Sequence, residues 1–280
     1  MSLGYTEVVE TARNYYNSED ADQFYFHVWG GEDIHIGLYQ NPNEAIRDAS
    51  HRTVERMAAK VAGLGPESRV LDMGAGYGGA ARYLAETYGC QVTALNLSET
   101  ENERDREMNR ERGLDHLITV IDGSFEEVPA TDGSFDLVWS QDAILHSGRR
   151  AQVIAEAARV LRAGGDLIFT DPMQADDCPE GVLQPVLDRI HLASLGSIGF
   201  YRETAAANGL QEVGVEPMVE HLISHYSRVR EVLESSRDDL AGKVSDPYIE
   251  RMITGLGHWV EAGRNGYLDW GILHFRKPAG

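Results

Sequence analysis

The feature that most constrains this chain is an alternation, between residues 68 and 171, of short apolar runs with amphipathic helical patterns. RVLDMG leads into a helical stretch ending near Tyr88, and QVTALNLS leads into ENERDREMNRERG. LITVIDGS and FDLVWSQD follow, the latter with a helix ending in LRAGG, and DLIFTDP closes the series. Strands that are apolar along their whole length are buried on both faces, which is the condition inside a parallel sheet covered by helices. The expected fold class is therefore α/β, a Rossmann-like doubly wound sheet. Five strands come from this core, LQEVGVEPMV adds a sixth and YLDWGILHFRK a seventh. Helices are expected near 6–16, 45–61, 178–195 and 201–208, and over most of 219–262. No repeat or Pro/Gly/Ser linker divides the chain, so one domain is expected: an N-terminal helical lid over 1–63, a ligand-binding core over 64–175, and substrate-covering helices with the last two strands over 176–280.

VLDMGAGYGG is a strand that runs into a glycine turn opening a helix, the setting in which a nucleotide-like ligand meets backbone N–H groups. Gly74, Gly76 and Gly79 also satisfy GxGxxG, so a dinucleotide is one reading. S-adenosylmethionine (AdoMet) is favoured by three other features. Asp72 precedes the first glycine by two residues, where it can meet a ligand amine, and the turn carries no basic residue for a pyrophosphate. IDGSFEEVP follows the third strand, where Asp122 would accept from an adenine amino group and Phe125 would offer a ring face. Asn96 stands at the end of the second strand, where an acidic residue ordinarily holds ribose hydroxyls; an amide can bond both.

Composition narrows the partners. Against 45 Asp and Glu stand 25 Lys and Arg, a formal charge of -20 that repels nucleic acid and anionic membranes. Only Lys60, Lys243 and Lys277 are lysines, an acidic, lysine-poor balance that suits high salt. Two cysteines in no metal-binding spacing, and no apolar leader, point to a cytoplasmic protein with no metal. Asp176, Asp177 and Glu180 read as a solvated acidic loop rather than a cation site. A monomer or homodimer acting on a small molecule is expected.

With VLDMGAGYGG, VTALNLS, FDLVWSQDAILHS, FTDPMQADDCPEG and the N-terminal WGGEDIHIGLY, the chain resembles the sarcosine/dimethylglycine N-methyltransferases of glycine betaine synthesis, over essentially its whole length. The resemblance implies a class I AdoMet-dependent methyltransferase that converts sarcosine and dimethylglycine to betaine, with S-adenosylhomocysteine (AdoHcy) as the second product. It places the donor on Asp72, Gly74, Ala75, Gly76, Asn96, Leu97, Asp122, Gly123, Ser124, Phe125, Gln141 and Asp142. A more distant similarity to phosphoethanolamine methyltransferases, through the SxDAILH segment, implies a Tyr25/His146 pair that latches the lid, receives a proton, or both. The same similarity puts Arg189 where an anionic head group is held, with His191 beside it, and arginine supplies the fork a carboxylate wants. Pro172 and Met173 lie at the carboxyl edge of the sheet. Trp29, Tyr39, Trp139 and Tyr201 are candidate faces for cationic methyl groups. Methylation of a phospho-base or a sugar is the alternative that the residues leave open.

Overall fold

The computed structural model describes residues 5–190 and 192–279. Seven strands form one sheet in the order β3-β2-β1-β4-β5-β7-β6. They are β1 (Arg69–Met73), β2 (Gln91–Asn96), β3 (Ile118–Asp122), β4 (Phe135–Gln141), β5 (Leu161–Gln174), β6 (Gln211–Pro217) and β7 (Leu268–Arg276). β1 pairs in parallel with β2 and β4, β2 with β3 and β4 with β5, while β7 runs antiparallel between β5 and β6. This is the seven-stranded, mostly parallel, doubly wound sheet that the sequence predicts. The chain reverses its direction of winding between β1 and β4, and in such sheets the crevice at the carboxyl ends of the strands beside that switch is where ligands bind.

Eleven α-helices cover the sheet among the described residues. In the N-terminal segment these are α1 (Glu7–Tyr16), α2 (Glu19–Phe24), continued by a π-turn over Tyr25–Trp29, and α3 (Ile46–Ala58). In the core they are α4 (Gly79–Tyr88), α5 (Glu99–Glu111) and α6 (Arg150–Val160). Beyond the core come α7 (Gln184–Ile190), α8 (Ile198–Ala207), α9 (Val219–Ser235), α10 (Arg237–Leu240) and α11 (Asp246–Arg264). The helix expected from Cys178 begins only at Gln184, because Pro179 and a left-handed Gly181 hold the preceding residues in turns. The long helical stretch near 219–262 is broken after Ser235 and again around Gly242, which has φ +76°. α2 and the π-turn carry no sequence signal strong enough to separate them from the loop that follows.

The N-terminal segment is fastened to the edge of the crevice. Asn17, capping α1, accepts from the Ser98 hydroxyl at 2.7 Å and donates to Glu99 at 2.8 Å, so the ends of α1 and α5 are tied together. Arg82 is completely buried between α4 and α5, donating to Asp105 at 2.8 Å, Asn109 at 3.0 Å and, from the loop that crosses above, Glu32 at 3.1 Å. Gly78 lies beneath this network with φ +74°, and a Cβ there would overlap the Asp105 carboxylate. Gly78→Ala combines left-handed backbone strain with the disruption of a buried ion pair. It is expected to lose at least about 2 kcal/mol, read from the urea midpoint at unchanged slope.

Candidate active site

Two connected cavities open at the carboxyl ends of β1, β2 and β4. The larger, about 940 Å³, lies under α1, the π-turn, α7 and α11. The second is a narrow cleft along the glycine turn and the ends of β2 and β3. Ala12, Tyr16, Ile34, Asp142 and His146 line both, so anything passed between the cavities goes past these five side chains.

In the cleft, Gly74, Gly76, Asn96, Leu97, Gly123, Ser124, Phe125 and Gln141 come together as the sequence predicts. The turn is closely covered: a Cβ on Gly74 would overlap Ala143, and one on Gly76 would sit 2.9 Å from Ile34. Asp72 and Ala75 line a small recess at one end, with Gly74 and Gln141. There the Asp72 Oδ2 and the Gln141 Nε2, both buried, have no hydrogen-bond partner among the described residues. Burial, with repulsion from Asp105 added, pushes the Asp72 carboxyl up to about 7.

Asp122 departs from expectation. Its carboxylate accepts from Asn102 at 2.7 Å and Arg106 at 2.9 Å and does not line the cleft, so it is not free to meet an adenine amino group. Asn96 does line the cleft, but its amide donates to Glu101 at 2.9 Å. Glu101, in the first turn of α5, was missed by sequence reasoning. It is buried in the cleft wall and burial pushes it up to about 7. An acidic residue five positions after the end of β2, reached through a Ser98 cap, is a signal that a search of the strand end alone passes over.

Asp142 sits between the cavities in a left-handed conformation, φ +50°, rare for a non-glycine residue. Its carboxylate accepts from the Ile36 N–H at 2.6 Å and the Trp270 indole at 2.8 Å. It therefore holds the N-terminal loop down on the sheet, with both oxygens already engaged.

In the larger cavity the structure gathers Tyr25, Trp29, Pro172, Arg189 and His146. The expected Tyr25–His146 contact is corrected: His146 Nε2 is 2.8 Å from the hydroxyl of Tyr16, and Tyr25 packs behind Tyr16 with ring centroids 5.7 Å apart. No sequence feature distinguishes Tyr16 from its neighbour Tyr15, whose hydroxyl turns away to Tyr248 at 2.9 Å. Removal from water, and then the charge of Arg189, lower His146 to about 4. Burial drives Tyr16 well above its ordinary value, so the pair is polarised with the Tyr16 O–H donating to a neutral imidazole.

Arg189 extends across α11, where a Cβ on Gly255 would overlap its side chain. Its contact there is Met252 Sδ at 3.5 Å, and Tyr15, Tyr25, Tyr226 and Tyr248 stand around it. No carboxylate lies within 4.0 Å of it among the described residues, although this chain pairs most of its other enclosed arginines. An enclosed guanidinium with no counter-ion in an aromatic cavity is a carboxylate-binding arrangement.

Four further expectations are not met. Met173 packs in the core, because successive residues of β5 point to opposite faces and Pro172 takes the cavity side. Tyr201 is fully buried, its hydroxyl donating to Asp171 at 2.6 Å. Tyr39 turns to His225, 3.1 Å away, and Trp139 lies inside the sheet, donating to Gln141 Oε1 at 2.9 Å. His191 lies outside the described residues.

Comparison with known proteins agrees with this geometry. The Methyltransferase domain family matches at residues 71–169. The chain is 63% identical to the sarcosine/dimethylglycine N-methyltransferase of Halorhodospira halochloris over 97% of both chains. The chain belongs to the sarcosine/dimethylglycine N-methyltransferase family. It is also 59% identical to the glycine/sarcosine/dimethylglycine N-methyltransferase of Actinopolyspora halophila, over 97% of this chain and 48% of that one. A crystal structure assigned to a sarcosine dimethylglycine methyltransferase of Galdieria sulphuraria superposes with a TM-score of 0.90 at 44% identity, over 95% of this chain and 100% of that one. Membership makes the chain an AdoMet-dependent N-methyltransferase. The residues present fit that donor: unpartnered Asp72 for its ammonium, and the glycine turn, Asn96, Glu101 and Phe125 along the cleft for its nucleoside.

One consequence concerns donor affinity. Asp72→Asn is expected to weaken AdoHcy binding roughly tenfold by titration calorimetry, since it removes the charge that faces an ammonium. A carboxyl that titrates near 7 is neutral below that value, so wild-type affinity falls as the pH is lowered through it. The variant follows a shallower curve, with Glu101 accounting for the remainder.

Proposed function

We propose that this enzyme methylates the amine nitrogen of sarcosine and dimethylglycine, giving glycine betaine and AdoHcy. The relatives above support this, and the observation that carries it is Arg189: one unpaired guanidinium in a tyrosine-rich cavity that meets the cleft at Tyr16 and His146. A carboxylate on Arg189 leaves the substrate amine among aromatic faces, which favour the methylated, cationic product. A larger phospho-base carries two negative charges, for which the interior of this cavity offers Arg189 alone, the other lining arginine, Arg251, being exposed.

Bound AdoMet supplies an electrophilic methyl on a sulfonium sulfur; the new C–N bond forms as the C–S bond breaks, in line. The protein's work is to align, exclude water and release one proton from the substrate ammonium. The environment that holds His146 near 4 disfavours any cation beside it, and so favours the neutral amine. The substrate carboxylate neutralises Arg189 and thereby removes part of what depresses His146. The ammonium N–H then donates to the Tyr16 oxygen while the Tyr16 proton moves to His146 Nε2. The N-terminal helices act as the lid over this step.

The test is methyl transfer from labelled AdoMet to sarcosine, dimethylglycine and phosphoethanolamine in parallel. Label in betaine from dimethylglycine is expected. Label only in phosphoethanolamine, or in none of the three with AdoHcy still bound, overturns the substrate assignment and keeps the family.

A further inference from the structure

The recess at the far end of the cleft holds more unpartnered polar groups than an amine alone requires. It is a space of about 30 Å³ whose walls include Asp33, His35, Asp72, Ala75, Gly79 and Gln141. Asp33 and His35 come from the N-terminal loop that crosses the glycine turn; the other four come from the core. Four buried polar atoms there have no hydrogen-bond partner among the described residues: Asp33 Oδ1, His35 Nε2, Asp72 Oδ2 and Gln141 Nε2. His35 Nε2 is 3.6 Å from Asp33 Oδ1, near enough for charge attraction and too far for a hydrogen bond.

Two of these atoms are acceptors on carboxylates and two are nitrogens able to donate. The Gln141 amide is oriented by the Trp139 indole, which occupies its Oε1 and leaves the NH2 directed away. The His35 ring is fixed by its own backbone: its carbonyl accepts from the Trp29 indole at 3.1 Å and the Ser50 hydroxyl at 2.8 Å, and the next N–H is held by Asp142 at 2.6 Å. Its Nδ1 lies 3.3 Å from the Ile36 carbonyl, so that nitrogen carries a proton and Nε2 is the atom left for a ligand. The charged groups facing the ring are Asp33, Asp142 and Asp72, with neutral His225 behind. Burial opposes charge on the ring, but the carboxylates outweigh it and hold His35 above its ordinary value.

We propose that His35, with Gln141 beside it, holds the α-carboxylate of the methyl donor while Asp72 holds its ammonium, so that the loop closing over the donor is also the element that reads its zwitterionic tail. This rests on the donor-binding reading of the cleft. Asp33 serves to favour the cationic form of His35, and its second partner His51, 3.2 Å away, anchors it to α3. An amino-acid tail presents one charge of each sign at neighbouring atoms, and the recess presents the opposite pair from opposite walls. The core wall alone has no cation for the carboxylate, which makes the lid part of the donor site and not only a cover.

The experiment is a cycle across protein and ligand, by calorimetry with AdoHcy and with the AdoHcy analogue that lacks the carboxylate. Wild type is expected to lose roughly 10- to 100-fold in affinity when the carboxylate is removed, the worth of a charge-assisted hydrogen bond. His35→Ala should lose a similar factor for AdoHcy and bind the analogue as wild type does. His35→Gln keeps a donor without the charge and should fall between them, and serves if the alanine variant is unstable. Gln141→Leu should lose less and still discriminate between the ligands. Equal weakening of both ligands by His35→Ala marks a merely structural histidine and overturns the proposal, as does a wild type indifferent to the carboxylate. A wild type that binds neither ligand overturns the donor reading itself, and is told apart by that.

Discussion

Replacing Arg189 by methionine is expected to raise the KM for dimethylglycine by roughly 100-fold or more, with the affinity for AdoHcy unchanged. The size follows from the surroundings. A carboxylate desolvated against one enclosed guanidinium depends on it heavily, because the other cationic side chains of the cavity lining are placed elsewhere: Arg251 is exposed and lies over the Tyr248 ring, and His35 faces Asp33 and Asp142. Loss of that charge leaves the substrate carboxylate buried and unpaired, and that penalty is paid in binding before any chemistry. The fold should tolerate the change, since Arg189 forms no ion pair among the described residues and methionine matches the Met252 sulfur it already touches. Steady-state kinetics separate the outcomes. A large rise in KM with kcat reduced much less supports a carboxylate grip, whereas an unchanged KM removes Arg189 from the substrate site and with it the main support for an amino-acid substrate.

The sheet was legible because burial on both faces leaves a plain mark: β1, β2, β4 and β5 are nearly continuous apolar runs, and glycines punctuate the returns. The cleft was legible for the same reason that such clefts recur, namely that a strand–glycine–helix turn dictates where backbone N–H groups point. The substrate cavity was much less so. Its walls come from α1, the π-turn, α7 and α11, whose tyrosines look alike in sequence, and only packing decides that Tyr16 reaches His146 while Tyr15 reaches Tyr248. Tyr39, Tyr201 and Met173 failed as candidates because residue type does not say which way a side chain faces; the period of β5 put Pro172 and Met173 on opposite sides, and Asp171 claimed the Tyr201 hydroxyl. Glu101 and His35 were hidden for another reason. Each acts from an element that sequence reading treats as scaffold, a polar helix and a glycine-rich loop, and each is singled out only by being buried there.

His146→Ala is expected to lower kcat about 30-fold or more near pH 7, with AdoHcy affinity kept, and Tyr16→Phe should lower it comparably. The pH dependence carries the distinction between proton transfer and packing. The imidazole is depressed to about 4, first by burial and then by Arg189, so it is not lost as an acceptor until the pH falls toward that value. Wild-type activity should therefore rise with pH on the substrate side alone, as ammonium gives way to amine. In the variants the proton has no internal acceptor, and turnover waits for amine formed in bulk water. Their deficit should be greatest near neutrality and shrink toward about pH 9.5, where solution supplies the neutral amine unaided. A deficit of constant size across the range would mean that His146 and Tyr16 hold the gate between the two cavities in shape without accepting a proton, and the relay would be withdrawn. The two variants also report on each other. If Tyr16 passes the proton to His146, removing both should cost little more than removing either, as expected for residues that act as one unit.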